Sequence, residues 1–163
     1  MPDMARWIGV IAAVVGLDQL TKLSVAGSLQ LGERVQVLPF FDLVYVFNPG
    51  AAFSFLADHS GWQRWFFVAL AGVICGWLSV LLKRHASERL MPAACALIIG
   101  GAIGNVIDRL IHGAVIDFLY FYVGRYGWPA FNVADSAITV GAALMVWAEW
   151  KNARKEARNK VTR

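Results

Sequence analysis

The sequence predicts an all-α membrane protein, with four transmembrane helices and a small extracytoplasmic β-sheet segment. Three observations lead there. Of the 163 residues, 58% are hydrophobic and only 16% charged, against about 25% charged in ordinary soluble domains. Four apolar runs each come near the roughly 20 residues that cross about 30 Å of hydrocarbon at about 1.5 Å per residue. Between residues 28 and 60 the helical pattern gives way to apolar residues recurring with a period near two. A single integral membrane domain over residues 1–163 accommodates all of this.

The first helix is expected over about 7–25. Arg6, a short apolar core and Ser24-Val25-Ala26 imitate a cleavable signal peptide. Asp18 and Lys22 fall before the would-be cleavage point and favour a retained helix. Residues 28–60 are punctuated by Gly32, Pro39, Asn48-Pro49-Gly50 and Gly61, while Val35, Val37, Leu43, Tyr45 and Phe47 alternate. Short strands follow from that pattern. Phe40, Phe41, Val44 and Val46 make both faces apolar, so the sheet must rest on lipid or on the rest of the protein. Asp58-His59-Ser60-Gly61 then reads as a turn or helix start.

The second helix, about 62–82, opens on Trp62, Trp65, Phe66 and Phe67, aromatics suited to a membrane interface. A basic loop, residues 83–89, leads to the third helix at about 90–111. Residues 113–131 form an outer loop, and the fourth helix spans about 133–150. The charged tail 151–163 is expected to fray into water. Arg6, the 83–89 loop and the tail hold ten of the fifteen Lys and Arg residues. The positive-inside rule therefore places both termini in the cytoplasm, and the sheet segment and the 113–131 loop outside.

The same distribution explains the net charge of +4 and pI near 9.3, so nucleic acid is not an expected partner. Cys75 and Cys95 lie inside apolar runs and read as small hydrophobes. With no CxxC and no Cys/His cluster, neither a metal, a disulfide framework nor a cofactor is expected.

Charged and amide side chains inside such a chain carry function or pair with one another. Asp18 and Lys22, at i and i+4, read as an ion pair pinning the first helix to the outer sheet. Asn105, Asp108, Arg109 and His112 share one face of the third helix, turned from lipid. Arg109 could pair locally with Asp108, or stand as a fixed cation beside the site. Asn48-Pro49-Gly50 could be a plain turn, or offer an amide to a bound extended chain. Asp117 could be a loop acid and Asp135 a helix cap. Both nevertheless sit at one outer membrane face, joined by a short loop, with no comparable Ser-His or Cys-His arrangement. Two carboxylates sharing a proton can activate water and protonate a leaving amine.

Asp18 precedes Asn48 by 30 residues and Asn105 precedes Asn132 by 27, which suggests a parallel two-helix repeat. Two other classes compete with a peptidase. One is a proton or ion pathway through Asp117 and Asp135, and the other an assembly subunit whose polar residues only join helices.

Five motifs together resemble one family. They are Asp18-x-x-Thr21-Lys22, Asn48-Pro-Gly-Ala-Ala-Phe53, Gly101-x-x-Gly104-Asn105-x-x-Asp108-Arg109, Val115-x-Asp117-Phe118, and Phe131-Asn132-x-Ala134-Asp135-Ser136. In order and over nearly the whole chain, they are similar to the motif set of bacterial lipoprotein signal peptidase (signal peptidase II). The resemblance implies an aspartic endopeptidase of the bacterial inner membrane, with its active site at the outer face. It would remove signal peptides from diacylglyceryl-modified prolipoproteins on the amino side of the lipidated cysteine. It further implies Asp117 and Asp135 as the catalytic pair, and Asn48, Gly50, Asn105, Arg109, Asn132 and Ala134 as active-site and substrate-binding support. Asp18 and Lys22 match the first-helix motif as structural support, the outer sheet becomes a cradle over the site, and globomycin becomes an expected inhibitor. Membrane lipid is the other expected partner.

Overall fold

A computed structural model describes residues 2–50 and 61–161. Four helices stand where the apolar runs predict them: α1 (Pro2–Ser28), α2 (Trp62–Arg84), α3 (Leu90–His112) and α4 (Val133–Val161). By length and composition, α1, α2 and α3 are apolar enough to cross a membrane. The apolar part of α4 carries Asp135 and Glu149. Leu17, Leu20 and Leu23 on α1 and Val73 and Trp77 on α2 are exposed, as lipid-facing side chains of a membrane protein are. Helix α3 packs against all three others. Between α3 and α4 the backbones leave no room for a Cβ where Gly101 meets the Ala134 backbone and Gly141 meets the Ala94 carbonyl, the small-residue contact that brings membrane helices together.

The tail expected to fray is helical as far as Val161, because Lys, Arg, Ala, Glu and Asn follow Trp150 with no Gly or Pro among them, and most of these are strong helix formers. Arg154 also stacks over Trp150 at 4.2 Å, one helical turn away.

The outer segment is a four-stranded antiparallel sheet, ordered β1 (Arg34–Leu38), β2 (Phe41–Asn48), β3 (Val115–Val123) and β4 (Tyr126–Gly127). Half of it comes from residues 113–131, expected as a loop. That run, Val-Ile-Asp-Phe-Leu-Tyr-Phe-Tyr-Val, has β-branched and aromatic residues on both faces. It therefore lacks the alternation that marks a strand, and its pairing with β2 is invisible locally. Asp42, buried within β2, pairs with Arg34, whose guanidinium lies over Tyr120 and Tyr122. Of the expected Asp58–Gly61 turn, residues 58–60 lie outside those described, and Gly61 stands at the N-cap of α2.

Candidate active site

Two features of the backbone bring the polar residues together. A bulge in β2 shifts the register between Leu43 (opposite Leu119) and Val46 (opposite Asp117). This re-aims the end of the strand so that Asn48 lies opposite Val115 and reaches Asp117. After β4 the chain returns, and Phe131 pairs with Leu119, the Phe131 carbonyl accepting from the amides of Phe118 and Leu119. That pairing lays Asn132 beside Asp117 at the threshold of α4.

Asn132 is the hub. Its Oδ1 accepts the Asp135 amide at 2.9 Å, so Asn132, and not Asp135, caps α4. Its Nδ2 donates to Asp117 Oδ1 at 2.7 Å and to the Ile116 carbonyl at 3.1 Å. Asn48 Nδ2 donates to Asp117 Oδ2 at 2.9 Å, while Asn48 Oδ1 accepts the Gly50 amide. The Asn48-Pro49-Gly50 turn and the amide offered to the site are thus one device, with the offer going to Asp117. Asn105 Nδ2 donates to Asp135 Oδ1 at 2.7 Å. Each carboxylate is oriented by a side-chain amide, and both are tied to Asn132.

Asp117 is buried and Asp135 half-buried. Burial pushes the Asp117 carboxyl up from 3.8 to about 6, against the pull of the Asn48 hydrogen bond and with the nearby charge of Asp135 adding to the rise. A cavity of about 510 Å³ opens beside Asp135, walled by Trp128, Phe131, Thr139 and Val140. It gives the pair an apolar approach from the α4 side.

Asp18 and Lys22 do form the expected ion pair, at 2.8 Å, and it joins α1 to the sheet by way of side chains on α3. Both are buried at the crossing of α1, α3 and α4. Lys22 also bonds Asp108 Oδ2 at 2.8 Å and Asn105 Oδ1 at 3.1 Å, and Asp18 Oδ1 accepts the Ala134 amide at 2.9 Å. Gly104 makes room for this: a Cβ there would stand 2.5 Å from Asp18 Oδ2. The sheet is reached through the partners of Lys22 on α3: Asp108 Oδ2 accepts the Ile116 amide at 3.0 Å, and Asn105 Oδ1 accepts from Asn132 Nδ2, which also bonds the Ile116 carbonyl. With its cation taken by α1, Asp108 makes no local pair with Arg109. Instead Arg109 Nη1 reaches the Asn105 carbonyl, and its guanidinium stacks over Phe67 at 4.8 Å.

Gly50 abuts the other side of that relationship, since a Cβ at its positive φ of 116° would strike the Phe67 ring. Ala134, expected among the active-site and substrate-binding support, is fully buried against Gly101 and Asp18, where its amide and its small side chain support the helix crossing. Asp108, expected on the inward face of the third helix, joins the site's frame, and so does Gln19, which was not expected there. Gln19 Nε2 donates to Asp108 Oδ1, Asp18 Oδ2 and the Gly104 carbonyl. Its helical neighbourhood with Asp18 and Lys22 was the only available signal. Among the described residues no three His, Cys, Asp or Glu side chains converge as a metal site requires.

The resulting arrangement is two oriented carboxylates, one raised toward neutrality, beside an apolar cavity and above a buried ionic frame. Comparison with known proteins supplies the family. Residues 10–151 match the family model described as signal peptidase (SPase) II. The lipoprotein signal peptidase of Azoarcus sp. (strain BH72) is 69% identical over 146 residues, covering 90% of this chain and 83% of that protein. That of Paraburkholderia phymatum is 55% identical, covering 93% of this chain and 92% of that protein. A solved structure titled as a bacterial membrane enzyme superposes with a TM-score of 0.80 at 32% identity, covering 91% of this chain and 90% of its own. On the strength of a match spanning most of its length, this chain belongs to the signal peptidase II family.

Proposed function

We propose that this chain is an aspartic endopeptidase that removes the signal peptide of diacylglyceryl-modified prolipoproteins, cutting on the amino side of the lipidated cysteine. One observation carries the aspartic chemistry: Asn132 grips Asp117 through its side-chain nitrogen and the Asp135 backbone through its side-chain oxygen, which fixes two acids as a unit. The relatives' name, lipoprotein signal peptidase, supports the substrate class.

In this mechanism the pair holds one proton, since two neighbouring carboxylates do not both ionise cheaply. The ionised member takes a proton from water as the water attacks the scissile carbonyl. The protonated member hydrogen-bonds the developing oxyanion and then supplies the leaving amine. Asn48 and Asn105 hold the carboxylates in place, Arg109 is a cation close to the pair, and the apolar cavity beside Asp135 accepts nonpolar parts of the substrate. The protein lies in the bacterial inner membrane with four spans, both termini cytoplasmic and the pair at the outer face. It is sensitive to globomycin. A buried ionic frame whose members satisfy one another is a scaffold and a poor conduit, which weighs against a proton pathway.

The test is cleavage by the purified chain of a precursor with and without its diacylglyceryl group, in one detergent. Each buried CH₂ contributes about 0.8 kcal/mol, so the lipidated form is expected to be cut far faster. Asp117→Asn and Asp135→Asn should each abolish cleavage while the folded protein still binds precursor. Equal rates on both precursors would remove the lipid from the proposal, and turnover by either Asn variant would remove the dyad.

A further inference from the structure

At the end of the bundle opposite the carboxylate pair, a cavity of about 440 Å³ opens between the α2–α3 connection and the C-terminal extension of α4. Helix α3 separates the two sites by its 23 residues, about 34 Å at about 1.5 Å per residue. Arg89, Lys151, Lys155 and Asn152 line the cavity. Among the described residues none of the three cations forms an ion pair. The acid of the lining, Glu88, is engaged by His85 Nδ1 at 2.8 Å. Helix α3 also begins here, with Arg89 at its N-cap and no acid in its first turn, so its dipole adds to the positive potential.

The floor is of a different kind. Leu90 and Ala148 belong to the apolar core that lies beneath. Tryptophans stand at the same level: Trp7 Nε1 donates to the Ala86 carbonyl at 2.9 Å, and Arg154 covers Trp150. Tryptophans and arginines so placed mark the boundary between hydrocarbon and headgroups. A basic cavity with an apolar floor at that depth fits a phosphodiester carrying acyl chains better than a free anion. We propose that this cavity binds the headgroup of an anionic phospholipid, which bridges the α2–α3 connection to α4. The proposal stands apart from the peptidase reading and depends only on the membrane setting.

Native mass spectrometry of the full chain in detergent tests it, with phosphatidylglycerol, phosphatidylcholine and inorganic phosphate as probes. Retention of one phosphatidylglycerol at roughly tenfold lower lipid concentration than phosphatidylcholine is expected. The triple variant Arg89→Gln/Lys151→Gln/Lys155→Gln should lose that preference. Lys83→Gln/Arg84→Gln, which removes charge nearby but outside the lining, should keep it. Equal retention of the two lipids, or a triple variant that behaves as wild type, overturns the proposal. Displacement of the lipid by millimolar phosphate would also overturn it, leaving a soluble-anion site. If the triple variant does not fold, the single variant Lys151→Gln decides: weakened retention supports the site and unchanged retention overturns it.

Discussion

Asn132 Nδ2 lies 2.7 Å from Asp117 Oδ1, and the same side chain caps α4 with its oxygen. Orientation of an acid and initiation of a helix therefore rest on one amide, and its two ends can be tested separately.

Asn132→Asp keeps an oxygen for the Asp135 amide but replaces the donor to Asp117 with another carboxylate. Folding should survive, and turnover should fall by roughly 10²-fold or more, the scale of a lost positioned catalytic group. Asn132→Ala removes both ends and should add a cap loss of about 1 kcal/mol. Rates and thermal unfolding in one detergent separate the two; near-normal turnover by Asn132→Asp would sever the amide from the chemistry.

The pH profile carries a sign. Asp117 is pushed to about 6 by burial, with the charge of ionised Asp135 helping, so its titration is loss of the pair's last proton. For the free enzyme, kcat/KM should therefore decline on the alkaline side from near pH 6, as a macroscopic property of the pair. The Asn48 hydrogen bond favours the ionised form. Asn48→Ala should accordingly move that alkaline limb to higher pH, and a downward shift would contradict the assignment.

The same carboxyl links to stability. A folded value raised from 3.8 to about 6 favours the neutral form, so wild type loses stability as pH rises from about 4 to above 6. The full effect is about 3 kcal/mol at most. Asp117→Asn does not titrate, so its stability relative to wild type should increase across that window. Melting curves at pH 4 to 8 measure the difference, and a difference independent of pH would refute it.

At the helix crossing, a Cβ on Gly104 meets Asp18, whereas one on Gly16 meets nothing within 4 Å. Gly104→Ala should destabilise by roughly 1–3 kcal/mol, the cost of overpacking, and Gly16→Ala should be neutral or stabilising. Lys22→Met leaves Asp18 and Asp108 without their shared cation. A broken buried pair costs roughly 3–5 kcal/mol, so folded yield should drop sharply. Normal melting of Lys22→Met with lost turnover would move Lys22 from the frame into the chemistry.

The helices were legible because apolar runs of membrane length are long and interrupted by loops rich in charge or Gly and Pro. The carboxylate pair was legible because Asp117 and Asp135 stand out against an apolar background. What stayed hidden depended on contacts distant in sequence. Strand β3 is apolar on both faces, and only its pairing with β2 identifies it. Asp108 stands beside Arg109 in the chain, yet Lys22, 86 residues earlier, takes its charge. Ala134 lies next to Asp135 in the motif, but helical rotation turns it onto Gly101. The spacing of Asp18 to Asn48 and of Asn105 to Asn132 hinted at duplication, and the two asparagines do converge, one on each oxygen of Asp117.

That grip spans the chain unevenly: Asn48 precedes Asp117 by 69 residues and Asn132 follows it by 15. A ribosome delivering this chain thus releases the first clamp early and the second only at the threshold of α4. Until residues 132 and 135 have been made, Asp117 has neither its second amide clamp nor its companion acid, so on the proposed mechanism a chain of three helices lacks half the dyad. Cleavage of a precursor should accordingly be absent from chains truncated before residue 132 and present once the dyad is complete.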